Sequence, residues 1–199
     1  MNNYRLRNLI FLTLCCDMGL FAKRLIAPVA NIVTDFIRIP GGIGTSFSLM
    51  FLVVAAAIVS VRGCATIMGF VQSMIALSLG MVGSMGALSP IGYIVPGIII
   101  DLVFLIGRKS GSGSYITMVI ANMLAAAAAG FTANIIVFHL TGVPLALYIA
   151  VALVSGAFCG ILGYSLSCRL RPILTTTAGS SAVRRERTSH KHINGEIAG

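Results

Sequence analysis

Apolar residues run along this chain in six long blocks, separated by short clusters of glycine, proline or charge. A helix on the surface of a soluble domain is apolar along one stripe only, whereas these blocks are apolar all round. They predict six helices, at about 8–30, 47–61, 64–82, 90–107, 115–138 and 145–168. The 18 residues of the fourth block rise about 27 Å, close to the hydrocarbon thickness of a bilayer. The expected fold is an all-α integral membrane protein with six transmembrane helices in a compact bundle.

The breaks are as informative as the blocks. Residues 31–46 hold Asp35, Arg38 and the run Ile39-Pro40-Gly41-Gly42, then Gly44, and are expected to form a long outer loop. Gly80, Gly83 and Gly86 lie in the third break. Ser110-Gly111-Ser112-Gly113-Ser114 is a flexible link, and His139 to Pro144 is a short turn. Gly156, Gly160 and Gly163 give the sixth block a small-residue face. After Pro172 the apolar period ends. The expected division is a six-helix domain over 1–172 and a disordered basic cytoplasmic tail over 173–199.

Composition narrows the class. The chain is 57% hydrophobic and 10% charged, with a mean hydropathy of +0.99. The net charge of +9 does not point to nucleic acid, because the basic residues sit at block ends. With the N-terminus inside, the inner set is Arg5, Arg7, Arg62, Arg108, Lys109, Arg169, Arg171 and the tail residues Arg184, Arg185, Arg187 and Lys191. Lys23, Arg24 and Arg38 fall outside. This asymmetry predicts a multi-pass protein of the cell membrane with both termini in the cytoplasm. It also gathers the 31–46 loop, the 83–89 link and the 139–144 turn on the outer face.

Polar residues inside the blocks are the candidate chemistry. Asp101 is costly in the hydrocarbon region, so it must face protein or a polar cavity. It either binds a ligand or pairs with Lys23 or Arg24. Lys23 and Arg24 either reach for the outer surface or line the interior. Gln72, Asn122 and Asn134 need hydrogen-bond partners, from a ligand or from neighbouring helices. Tyr93 and Tyr148 are belt aromatics or stack on a planar ligand. The expected substrate-binding set is Asp101, Asn122, Asn134, Tyr93, Tyr148 and Gln72, converging on a chamber open toward the exterior.

Enzymatic chemistry is not expected. The five cysteines (Cys15, Cys16, Cys64, Cys159, Cys168) form no CxxC pair and no metal-ligand spacing with histidine. There is no phosphate-binding loop of the Walker type, no His-Glu-x-x-His and no Gly-x-Ser-x-Gly. No cofactor is expected. A stand-alone secondary carrier or channel is the alternative, although such carriers commonly show internal repeats and none stands out here.

The Arg38-Ile39-Pro40-Gly41-Gly42 turn leading into Phe51–Arg62, the Pro96-Gly97 stretch with its acid at Asp101, and Leu153–Gly163 resemble the substrate-binding S components of energy-coupling factor (ECF) vitamin transporters. The YkoE-like group, associated with thiamine and its hydroxymethylpyrimidine precursor, is the nearest in pattern. The resemblance covers about residues 5–170. It implies capture of a vitamin-like solute at the outer face for ATP-driven uptake. It further implies docking on a membrane T subunit with two ATPase subunits, which alone bind ATP. It places the docking face on helix one, where Cys15 and Gly19 fit the small-residue pattern and Lys23 interrupts it. The acids that would face a thiazolium in span three are replaced by Gln72, Ser73 and Ser78, which suits a neutral pyrimidine better.

Overall fold

Six α-helices follow one another in the order the apolar blocks predict. The computed structural model describes residues 2–37, 43–59, 61–80, 88–107, 115–138 and 142–196. The helices are α1 (Asn2–Ile37), α2 (Ile43–Val59), α3 (Cys64–Ser78), α4 (Ser89–Gly107), α5 (Tyr115–Ala133) and α6 (Val143–Glu196), with a π-helical turn at Asn134–Phe138. The chain divides into two units, Met1–Tyr164 and Ser165–Gly199. The first is the helical bundle. The second is the remainder of α6.

Among the described residues three helices are long and apolar enough to cross a membrane: Pro90–Gly107, Tyr115–Ile136 and Val143–Pro172. Shorter apolar helices cover Gly44–Val59 and Cys64–Ser78. The protein is thus an all-α, six-helix bundle of the kind that embeds in a membrane. Leu9, Leu14, Phe21 and Leu25 on α1, and Val154 and Phe158 on α6, are exposed, as a lipid-facing surface requires.

At the centre lies α2. Leu52, Val53, Val54, Ala55, Ala56 and Ala57 are all buried, so this helix is enclosed on every side. Glycines let its neighbours approach. A Cβ on Gly69 of α3 would lie 2.5 Å from the Tyr93 carbonyl oxygen of α4, and one on Gly97 of α4 would lie 2.7 Å from that of Ala65. The two helices therefore touch backbone to backbone at two levels. The small-residue face of α6 acts in the same way. A Cβ on Gly156 would come within 2.9 Å of Met123 Cα, and one on Gly160 within 2.8 Å of Val119 Cα, both on α5.

Two sequence expectations require correction. Helix α1 continues to Ile37 and α2 starts at Ile43, so most of the expected 31–46 loop is helical. Hydropathy falls at Asn31, but a polar residue does not by itself end a helix, and the sequence has no proline or glycine between Asn31 and Ile37; residues 38–42 lie outside the described residues. Likewise α6 runs through Pro172 to Glu196, where a disordered tail was expected from 173. Extending a helix adds a backbone hydrogen bond per residue without a new nucleus, so helix outlasts the apolar period.

Candidate functional site

The turn between α2 and α3 creates a specific demand. Gly63 takes the N-cap position of α3 in the left-handed region, at φ 78°, and has no side chain with which to cap. The first four N–H groups of any α-helix lack intrahelical partners. Here the Cys64 N–H reaches the Val61 carbonyl at 3.4 Å, and the helix's own i→i−4 ladder begins with the Ile67 N–H on the Gly63 carbonyl at 3.1 Å, which leaves Ala65 and Thr66. Asp101 of α4 supplies the other two acceptors. Its Oδ1 accepts from the Ala65 N–H at 3.2 Å and its Oδ2 from the Thr66 N–H at 2.7 Å. The Thr66 hydroxyl donates to Oδ2 as well, at 2.6 Å. A carboxylate at a helix N-terminus is also favoured by the helix dipole. Asp101 therefore pairs with neither Lys23 nor Arg24. It caps α3.

Lys23 has a different partner. Its Nζ donates to the Tyr93 hydroxyl at 3.1 Å and lies 4.4 Å from the centre of the same ring. A cation–π contact and a hydrogen bond thus fall on one half-buried tyrosine. Gln72 is buried between α1 and α3, where its Nε2 donates to the Cys16 carbonyl at 3.1 Å. Gly19 lies beside it, and a Cβ there would come within 2.9 Å of Gln72 Nε2 and 3.3 Å of the Ser48 carbonyl oxygen. Cys15 is buried too. The two residues expected to offer a docking face to a partner therefore point into the bundle. Lys23 does not interrupt an outward face, because Gly19 is already covered by α2 and α3.

The junction of α2, α5 and α6 holds a polar cluster. The Ser46 and Ser155 hydroxyls are 2.8 Å apart. Asn122 Nδ2 donates to the Gly156 carbonyl at 2.8 Å, with a longer approach of 3.5 Å to that of Ser46. Asn122 is fully buried, yet its Oδ1 has no hydrogen-bond donor. Among the described residues it is the one buried side-chain polar atom left unpartnered. Such an atom is costly unless something outside the chain satisfies it.

Asn134 opens the π-helical turn, and its Nδ2 donates back to the Gly130 carbonyl at 2.7 Å. The Tyr148 ring lies over Gly130, where a Cβ would come within 2.7 Å of Cε1. This explains the glycine that follows five alanines: the ring occupies the space of a side chain.

The expected convergence on a single chamber does not occur among the described residues. Asp101, Tyr93, Gln72 and Asn134 each have a hydrogen-bond partner within the protein, and Asn122 lies at the separate α2–α5–α6 junction. Residues 38–42, 81–87 and 139–141, which carry part of the expected outer face, lie outside the described residues. A cleft of about 350 Å³ lies beside the α2–α3 turn, lined by Arg62, Thr66, Ile98, Asp101, Leu102 and Leu105 among others.

Sequence reasoning missed Thr66, Ser46, Ser155 and Gly156. A signal existed for Thr66: a glycine at the α3 N-cap needs a capping oxygen from another helix. The Ser46–Ser155 pairing had no signal, since its members are 109 residues apart. No family model, curated protein or solved structure matches the chain.

Proposed function

We propose that this chain is the membrane substrate-binding subunit of an ECF-type importer, crossing the bilayer six times with both termini in the cytoplasm. In this reading it captures a vitamin or vitamin precursor of the thiamine or hydroxymethylpyrimidine kind for uptake driven by partner ATPases. The resemblance of Pro96–Leu105 and Leu153–Gly163 to such subunits is one support. The absence of any nucleotide-binding motif from a six-helix bundle agrees with it.

The observation that carries the binding role is the unpartnered Oδ1 of Asn122. Its amide nitrogen is fixed on the Gly156 carbonyl, so the oxygen is held as an acceptor. A solute bearing an N–H or O–H donor, such as an aminopyrimidine, would complete it. Beside it the Ser155 hydroxyl donates to the Ala152 carbonyl at 3.2 Å and shares a 2.8 Å contact with the Ser46 hydroxyl, so this pair offers acceptor lone pairs. Asp101 already accepts from three donors of α3, which accounts for its burial cost without a ligand.

The test is native mass spectrometry of the protein purified in detergent. A small molecule retained at one per chain supports the reading. A chain that carries none, and whose thermal stability does not respond to any member of a vitamin and precursor panel, contradicts it.

A further inference from the structure

The cleft beside the α2–α3 turn lies on the outside of the bundle. Its α4 wall carries Ile98, Leu102 and Leu105, which are 45%, 51% and 55% exposed and recur at the spacing of one helix face. Val61 closes the far side and is also exposed. From Ile98 to Leu105 this wall runs about 10 Å along the helix axis. Its volume of about 350 Å³ lies at the lower end of ligand-sized pockets, about 300–1,000 Å³. Apolar walls open to the membrane side are suited to hydrocarbon and not to a water-soluble solute.

Charge at one end is what singles out the occupant. Arg62 lines the cleft, is exposed, and meets no carboxylate among the described residues. Asp101 is the acid of the cleft, but its two oxygens are taken by the Ala65 and Thr66 donors of α3. The end of the molecule that carries Arg62 is the end where α4 finishes at Gly107, just before Arg108 and Lys109 in sequence. By the positive-inside rule it is the cytoplasmic end, where anionic lipid is concentrated.

We infer that this cleft binds an anionic phospholipid, with an acyl chain along Ile98–Leu105 and the headgroup phosphate on the Arg62 guanidinium. Planar guanidinium donors match phosphate oxygens two at a time, and a basic side chain at the membrane surface contributes about fivefold in lipid affinity. The inference needs the bundle to lie in a bilayer with its Arg62 end at the cytoplasmic surface, and stands whether or not the chain captures a solute.

The experiment is lipid titration of the full chain in detergent, read by native mass spectrometry, with phosphatidylglycerol and phosphatidylcholine of identical acyl chains. The protein should retain phosphatidylglycerol at least fivefold better, because choline offsets the phosphate charge in phosphatidylcholine, and Arg62→Gln should remove that preference. Arg62 is exposed in a turn, so its replacement leaves the core intact. Leu102→Trp, which fills the cleft, should lower retention of both lipids. Equal retention of the two lipids by the wild-type chain would overturn the inference. So would an Arg62→Gln protein that keeps the preference, or displacement of phosphatidylglycerol by inorganic phosphate at equal concentration.

Discussion

Asp101 Oδ2 accepts two hydrogen bonds from Thr66, one from its backbone N–H at 2.7 Å and one from its hydroxyl at 2.6 Å. A residue that hydropathy marks as an intruder in α4 is thereby the cap of α3. With Gly63 unable to cap, the carboxylate ties the start of one helix to the side of the next.

Removing that carboxylate should destabilise the bundle and not merely alter a surface. Asp101→Ala leaves two helix N–H groups and a hydroxyl without their acceptor, at a cost of about 2–3 kcal/mol. Asp101→Asn should cost less, since the amide oxygen can still accept. Thermal unfolding in detergent should rank wild type above Asn above Ala. An Asp101→Ala protein that melts with the wild type would remove Asp101 from the cap.

Glycine substitutions should differ by what stands opposite. A Cβ at Gly69 meets the Tyr93 carbonyl oxygen at 2.5 Å, and backbone cannot step aside. Gly69→Ala should therefore cost about 1–3 kcal/mol as overpacking. A Cβ at Gly163 meets Met50 Cγ at 2.9 Å, part of a flexible side chain. Gly163→Ala should be tolerated far better. Equal losses in a melting comparison would contradict the backbone contact between α3 and α4.

The Lys23–Tyr93 contact has two separable parts. Tyr93→Phe removes the hydroxyl acceptor but keeps the ring 4.4 Å from Nζ, and should cost about 0.5–1.5 kcal/mol. Tyr93→Leu removes both and should cost more, by about 0.5–1 kcal/mol of cation–π attraction in addition to the lost packing. Melting temperatures of the pair check this order. Indistinguishable variants would mean that the ring face contributes nothing.

The helices were legible because long apolar blocks are a strong signal, and five of the six begin within four residues of where those blocks predict. Helix α1 departs from this, starting at Asn2 where the apolar block opens at residue 8. The ends were less legible. Hydropathy placed a loop at Asn31, although α1 runs on to Ile37, and it ended order at Pro172, although a helix needs no apolar stripe to continue. For the site, the sequence marks Asp101, Gln72 and Asn122 as needing partners but is silent on which. Their partners are mainly backbone groups: N–H groups of Ala65 and Thr66, and carbonyls of Cys16 and Gly156. Every residue carries those groups, so composition cannot single them out. That is why a list of buried polar residues read as one chamber, when most of them are separate clasps between helices.

Whether the bundle holds a solute at Asn122 is tested most directly by isothermal titration of hydroxymethylpyrimidine into the wild-type chain and into Asn122→Leu. Leucine keeps the branched four-atom outline of asparagine and leaves no buried polar side-chain group of its own, and its larger volume is controlled for by a thermal melt showing that the variant is folded. The account predicts one site per wild-type chain and at least a tenfold loss of affinity in the variant, the value of about 1.4 kcal/mol for one buried hydrogen bond. Equal affinity in the two proteins, or no heat from the wild type, would contradict it.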